Sequence, residues 1–160
     1  MKTIRILGID PGTAIMGFGL IEKRGERFKV LDYGCWRTST ELSTADRLVA
    51  HYNTLCAFLD THRPEHVAVE TLFFNRNTKT ALTVGQARGV VLLAGAQKNA
   101  YIAEYTPLQV KQAVVGYGKA EKKQVQFMVK AILGLPSVPQ PDDAADALAI
   151  AVCHAHSVRG

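Results

Sequence analysis

Ile4-Arg5-Ile6-Leu7-Gly8-Ile9-Asp10-Pro11-Gly12-Thr13 is the stretch whose reading decides the fold. Ile4, Ile6, Leu7 and Ile9 form a short, nearly all-apolar run, the pattern of a strand covered on both faces. Asp10 closes the run where the chain surfaces from the core, and Pro11-Gly12 then forces a turn. Met16 to Ile21 reads as a second strand returning beside the first. Two readings of Asp10 stand open here. It is either a carboxylate presented at a strand end for chemistry, or an Asp that caps its own turn through the backbone.

Working outward, Phe28 to Trp36 reads as a third strand, and the short links favour antiparallel neighbours. Ser43 to Asp46 resembles a capping box with Asp in place of Glu or Gln, and Leu48, Tyr52, Leu55 and Leu59 then share one helical face. Arg63-Pro64 ends that helix. His66 to Glu70 is a second buried-strand pattern that closes on a carboxylate, repeating the logic of Asp10. Thr78 to about Lys98 has helical spacing, weakened by Gly85, Gly89 and Gly95, which suit close packing against a sheet or a partner helix. Tyr101 to Tyr105 is a fifth strand, Leu108 to Val114 a short helix, and Ala120 to Leu133 an amphipathic one. The proline-rich connector Leu135 to Pro141 leads to an alanine-rich helix from Asp142 to about His156, with Asp142 expected as its N-cap. Three strands followed by alternating helices and strands predict an α/β protein. The expected architecture is an RNase H-like mixed five-stranded sheet flanked by helices, in a single domain over residues 1–160. A Rossmann fold is excluded, because Gly17 and Gly19 lie within a strand and no phosphate-binding helix follows them.

The 160 residues suffice for one sizeable core, and the net charge of +5 favours a polyanionic partner. No apolar run is long enough for a membrane span, and Met1-Lys2-Thr3 leaves no room for a signal peptide, so a cytoplasmic protein is expected. Cys35, Cys56 and Cys153 have no metal spacing and suit apolar packing in a reducing compartment.

Against this basic background four carboxylates stand out. Asp10 and Glu70 close buried strands. Asp143 and Asp146, three residues apart, share one face of the last helix, which is otherwise built of Ala, Leu, Ile and Val. Helix-dipole placement alone accounts for Asp143 but not for Asp146 on a buried face. If the four converge, their repulsion calls for a cation. An all-oxygen ligand set selects Mg²⁺, with Mn²⁺ a substitute. Two such ions about 3.5–4 Å apart suit phosphodiester hydrolysis. His154 falls near the same helix face and is expected to be a helix-end surface histidine.

The chain closely resembles the RuvC-type Holliday junction resolvases over nearly its whole length. The resemblance rests on Gly8-Ile9-Asp10-Pro11-Gly12, on Glu70 followed by Phe73, and on Gly85-Gln86-Ala87-Arg88-Gly89-Val90. It continues through Gln109-Val110-Lys111-Gln112, Val114-Val115-Gly116, Ala120-Glu121-Lys122 and Asp143-Ala144-Ala145-Asp146 with the apolar run after it. It implies a homodimeric RNase H-like nuclease that makes paired, metal-dependent nicks in a four-way DNA junction during recombination and repair. It also implies a link to the RuvA–RuvB branch-migration complex. By the same resemblance the metal-binding acids are Asp10, Glu70, Asp143 and Asp146. Lys111 and Lys122 match lysines used in the active site or along the DNA path. Phe73 is expected to stack on an unpaired base, and Arg76 and Asn77 to hold phosphate or a base edge. Lys119 and Lys123 flank Lys122 as further phosphate contacts, although some of these lysines must be a merely solvated face. Two rivals share the core. An actin-like ATPase would use Asp10-Pro11-Gly12-Thr13 to cradle phosphate but needs a second domain. A nuclease of RNA–DNA hybrids would share the four acids and differ only outside them.

Overall fold

The computed structural model describes residues 2–71 and 78–158. Strands β1 (Thr3–Asp10), β2 (Ile15–Arg24) and β3 (Arg27–Arg37) form an antiparallel meander. Strands β4 (His66–Glu70) and β5 (Tyr101–Tyr105) add to it in parallel, giving one five-stranded sheet in the order β3-β2-β1-β4-β5. Helices α1 (Thr44–His62) and α2 (Thr78–Gln97) cover one face. Helices α3 (Pro107–Val114), α4 (Lys122–Leu133) and α5 (Asp142–Ser157) cover the other. This is the mixed α/β arrangement that the order of elements predicts.

Strand alternation divides the core in two. Leu7, Ile9, Met16, Phe18 and Leu20 point towards α1 and α2, where they meet Leu55, Leu59, Val67, Val69 and Val91. Ile4, Ile6, Ile21 and Ala68 point the other way, against Leu148, Ile150 and Val152 of α5. The apolar run of β1 is thus buried on both sides, as its composition requires.

Helix α5 is the inner helix of its layer, and eleven of its residues are buried. It lies so low on the sheet that side chains on the strands beneath would strike it. A Cβ on Gly8 would collide with the carbonyl of Ala147, and one on Gly17 with the carbonyl of Asp143. A Cβ on Gly19 would come within 2.6 Å of Leu148 Cδ2. The glycines inside β1 and β2 therefore make a seat for α5, which is one reason a strand tolerates glycine.

Several boundaries differ from the sequence reading. Helix α5 has Pro141 at its N-cap, and Asp142 is its first helical residue rather than the cap. Helix α4 starts at Lys122, two residues beyond Ala120, because Glu121 N–H donates to Gln124 Oε1 at 2.8 Å and closes the first turn there. Of the three glycines noted in α2, Gly95 packs on Ile102 and Val67, whereas Gly89 has open space around it. Thr106 and Gln109 form a full capping box at the start of α3.

Candidate active site

In the parallel part of the sheet, Ile9 pairs with Val69, so Asp10 and Glu70 follow side by side at the carboxyl ends of adjacent strands. This edge is where α/β sheets commonly hold their chemistry. Both residues lie on the α5 face, continuing the alternation of Ile6 and Ala68. The seat of glycines lowers the first turns of α5 onto the same edge. Asp10, Asp143 and Asp146 consequently offer ligand oxygens that all lie within 4.8 Å of one another. Glu70 joins from the next strand and shares a cleft of about 300 Å³ with Asp146, Lys111 and Lys122. The sequence reading expects these four acids to converge, and the fold brings them to one edge. The three aspartates form the tight group.

The electrostatics follow from crowding. Burial, then the charges of Asp146, Asp143 and Glu70, push the Asp10 carboxyl up to about 8. Burial and Asp146 push Glu70 up to about 7 against the opposing pull of Lys111. Asp146 is also raised by burial, with Lys122 pulling the other way. Carboxylates that have lost water and face one another resist ionisation unless a cation joins them. The donor set is all oxygen, half-buried and already mutually close, so the residues fit a hard divalent ion.

The lysines divide. Lys111 and Lys122 line the cleft beside Glu70 and Asp146. The Lys122 ammonium lies 3.8 Å from Asp146 Oδ2 and 3.3 Å from Asp142 Oδ2. Lys119 and Lys123 are exposed and do not line that cleft. Phe73, Arg76 and Asn77 lie outside the described residues.

On the opposite flank of the acids a second cleft, of about 400 Å³, is lined by Thr13, Lys79, Thr80, Thr83 and Asp143. Thr80 and Thr83 escape the sequence reading because they stand in an ordinary helical turn. His51 escapes it as well. It is a buried histidine on α1 whose Nε2–H donates to the Thr13 carbonyl at 2.7 Å, and the Thr38 hydroxyl donates to the same carbonyl at 2.7 Å. Together they pin the turn that follows Asp10. No local pattern marks His51, since its partner is a backbone atom far away in sequence.

His154 corrects the sequence reading. It is 3% exposed rather than a surface residue. Its Nε2 lies 2.6 Å from His66 Nδ1, and its Nδ1 lies 2.6 Å from the Tyr105 hydroxyl. Burial, with His66 and Lys23 nearby, lowers it to about 4, so it remains neutral near pH 7. It belongs to the far end of α5 and takes no part in the acidic group.

Comparison with known proteins shows the family. Residues 6–154 match the family model described as crossover junction endodeoxyribonuclease RuvC. The chain is 64% identical over 153 residues to a crossover junction endodeoxyribonuclease RuvC of Desulfitobacterium hafniense, covering 96% of this chain and 93% of that one. The structure is similar to Thermus thermophilus RuvC in complex with a Holliday junction substrate. There the TM-score is 0.90, the identity 39%, and the coverage 96% of this chain and 94% of that one. The yeast mitochondrial Holliday junction resolvase Ydc2 shares the fold, with a TM-score of 0.66 and 15% identity over 94% of this chain and 78% of that one.

Proposed function

Because the chain belongs to the RuvC family of crossover junction endodeoxyribonucleases, we propose that it resolves four-way DNA junctions by nicking two symmetric strands, leaving 5′-phosphate ends. The observation that carries the reading is the meeting of Asp10, Asp143 and Asp146 on a protein of net charge +5, since a negative site on a basic protein suits a cation between carboxylates and phosphate. Asp10, Glu70, Asp143 and Asp146 would hold Mg²⁺, or Mn²⁺ in its place, in two sites. Ions bound there supply Lewis acidity, which makes water nucleophilic near neutral pH and offsets charge on the leaving oxygen.

The chain's own residues position the strand. Lys111 and Lys122 face the acids across one cleft and suit the scissile phosphate, where fixed positive charge favours the transition state. Thr13, Thr80 and Thr83 across the other cleft suit a flanking nucleotide. Phe73 stacks on a base at the crossover, while Arg76, Asn77, Lys119 and Lys123 extend the phosphate contacts. These five assignments rest on family resemblance and on side-chain chemistry.

A junction has two equivalent strands to cut, so a two-fold dimer matches its symmetry. Helix α2 is the proposed dimer face. Leu82 and Leu93 are 63% and 53% exposed on it, and Gly89 between them leaves room for a close approach. Leu93→Glu is expected to convert the dimer to monomer in light scattering, and an unchanged mass would move the interface elsewhere. Contact with a RuvA–RuvB branch-migration complex rests on family membership alone. Among the described residues no helix is long and apolar enough to cross a membrane, and action on DNA in the cytoplasm is proposed.

The test is cleavage of a synthetic mobile junction beside matched duplex, fork and RNA–DNA hybrid, with and without Mg²⁺ or Mn²⁺. Symmetric, metal-dependent nicks in the junction alone are expected. Cutting of the hybrid instead would keep the acids and overturn the substrate.

A further inference from the structure

Asp142 stands next to the acidic group without belonging to it, and neither helix capping nor metal binding accounts for its contacts. Pro141 occupies the N-cap of α5, and the tight aspartate group contains Asp143 and Asp146 without Asp142. Both oxygens of Asp142 are nevertheless engaged. Gln126 Nε2 donates to Oδ1 at 3.1 Å, and the Lys122 ammonium lies 3.3 Å from Oδ2. Lys122 and Gln126 are one turn apart on α4, and Asp142 and Asp146 are one turn apart on α5, so the two helices face each other as a short ladder.

The position of Lys122 is costly on its own helix. It is the first helical residue of α4, where the macrodipole disfavours a cation. Two carboxylates on the facing helix offset this, and they are not equivalent. Asp142 is the nearer at 3.3 Å, while Asp146 stands at 3.8 Å, long for a direct hydrogen bond. Asp142 is itself favoured in the first turn of α5, and Gln126 fixes its rotamer.

We infer that Asp142 is a positioning residue that holds Lys122 beside the carboxylate group yet off Asp146, leaving Asp146 free for a divalent cation. The inference rests on the metal-binding reading of the site. Without Asp142, Asp146 becomes the one carboxylate paired with Lys122. The ammonium moves onto it and competes with the metal for the same oxygens. Asp142 thus acts on the metal through Lys122 and not by direct contact.

The test is a double-mutant cycle on the full chain, read as Mn²⁺ binding by calorimetry and electron paramagnetic resonance without DNA. Asp142→Asn is expected to weaken Mn²⁺ binding by about three- to fivefold, the range of a partly exposed ion pair. In a Lys122→Met background the same change is expected to have almost no effect. Asp142→Glu, which keeps the charge and reaches Lys122, restores wild-type binding. An equal loss in both backgrounds would mean that Asp142 acts only as a charge at a distance, and it would overturn the inference while leaving the site intact. Failure of the wild-type protein to bind Mn²⁺ would overturn the site reading, and the inference with it. Thermal melting of Asp142→Asn adds a second arm. Loss of stability without coupling to Lys122 would reduce the residue to a helix-terminus role and reject the proposal.

Discussion

The two ends of helix α5 bury polar groups in opposite ways. At the far end His154 sits between His66 and Tyr105, with both ring nitrogens 2.6 Å from a partner. At the near end Asp143 and Asp146 meet Asp10, and the same kind of burial leaves like charges facing one another. A satisfied buried row adds specificity to packing. A group of mutually repelling acids lowers stability and persists where something else requires it. One helix thus carries a structural end and a chemical end, and perturbing each end separately tests the division.

The largest expected effect is at the chemical end. Asp10→Asn removes a proposed metal ligand but few DNA contacts, so cleavage of a junction should fall below detection while junction binding persists in a gel-shift assay. The same change should raise the melting temperature of the metal-free protein at pH 8, because it removes a strained charge. Cleavage by the variant would refute the role of Asp10. Next comes Gly17→Ala, whose methyl group meets the Asp143 carbonyl. Lifting the first turn of α5 should cost about 1–3 kcal/mol of stability. A displacement of about 1 Å at the acids should slow single-turnover cleavage by about a hundredfold. An unaltered rate would show that the seat does not set the site.

At the structural end, His154→Leu removes the ring nitrogens that lie 2.6 Å from His66 Nδ1 and 2.6 Å from the Tyr105 hydroxyl. Denaturant titration should show a loss of about 1–3 kcal/mol, with the single-turnover rate of the folded protein unchanged. A rate defect would join the two ends functionally.

The smallest effect is in the pH dependence of the metal-free fold, and its sign differs between the ends. Asp10 rises from 3.8 to about 8 on folding, so the folded state holds its proton where the unfolded chain has released it. Its contribution is therefore full below the lower value and is lost as pH climbs through the higher one. His154 falls from 6.5 to about 4, so the unfolded chain takes up a proton that the fold refuses. That contribution is full above the higher value and is lost as pH falls through the window. Melting temperatures should shift by an amount on the order of 5 °C across each window. The alkaline decline should shrink in Asp10→Asn or on adding Mg²⁺, and the acid decline should shrink in His154→Leu. Identical profiles in wild type and both variants would remove the contrast.

How much of this was legible in the sequence follows the same line. Strand ends, breakers and caps are local signals, so β1, β4 and the run from Pro107 to Val114 were readable from their own residues. Asp10 and Glu70 stood out because a carboxylate at the end of a buried strand is expensive. Asp143 and Asp146 stood out on an apolar helix. Asp142 was misread because the cap and the first helical residue differ by a single position, and Pro141 took the cap. His154 and His51 were illegible for another reason. Their partners lie 88, 49 and 38 residues away, and no periodicity encodes such meetings. Gly17 and Gly19 read as strand residues, and they lie in β2, but their purpose is known only once α5 is seen to cross them.

That crossing also defines what could be moved to another protein. The four acids alone are not a portable unit, because their spacing is not fixed by the side chains around them. It is fixed by main chain resting on main chain, where β1 and β2 have no Cβ to hold the helix away. A transplant would have to carry the β1–β2 hairpin with its glycines, β4 with Glu70 at its end, and the whole of α5. A designer who copied only the carboxylates would inherit the charges without the ruler that spaces them.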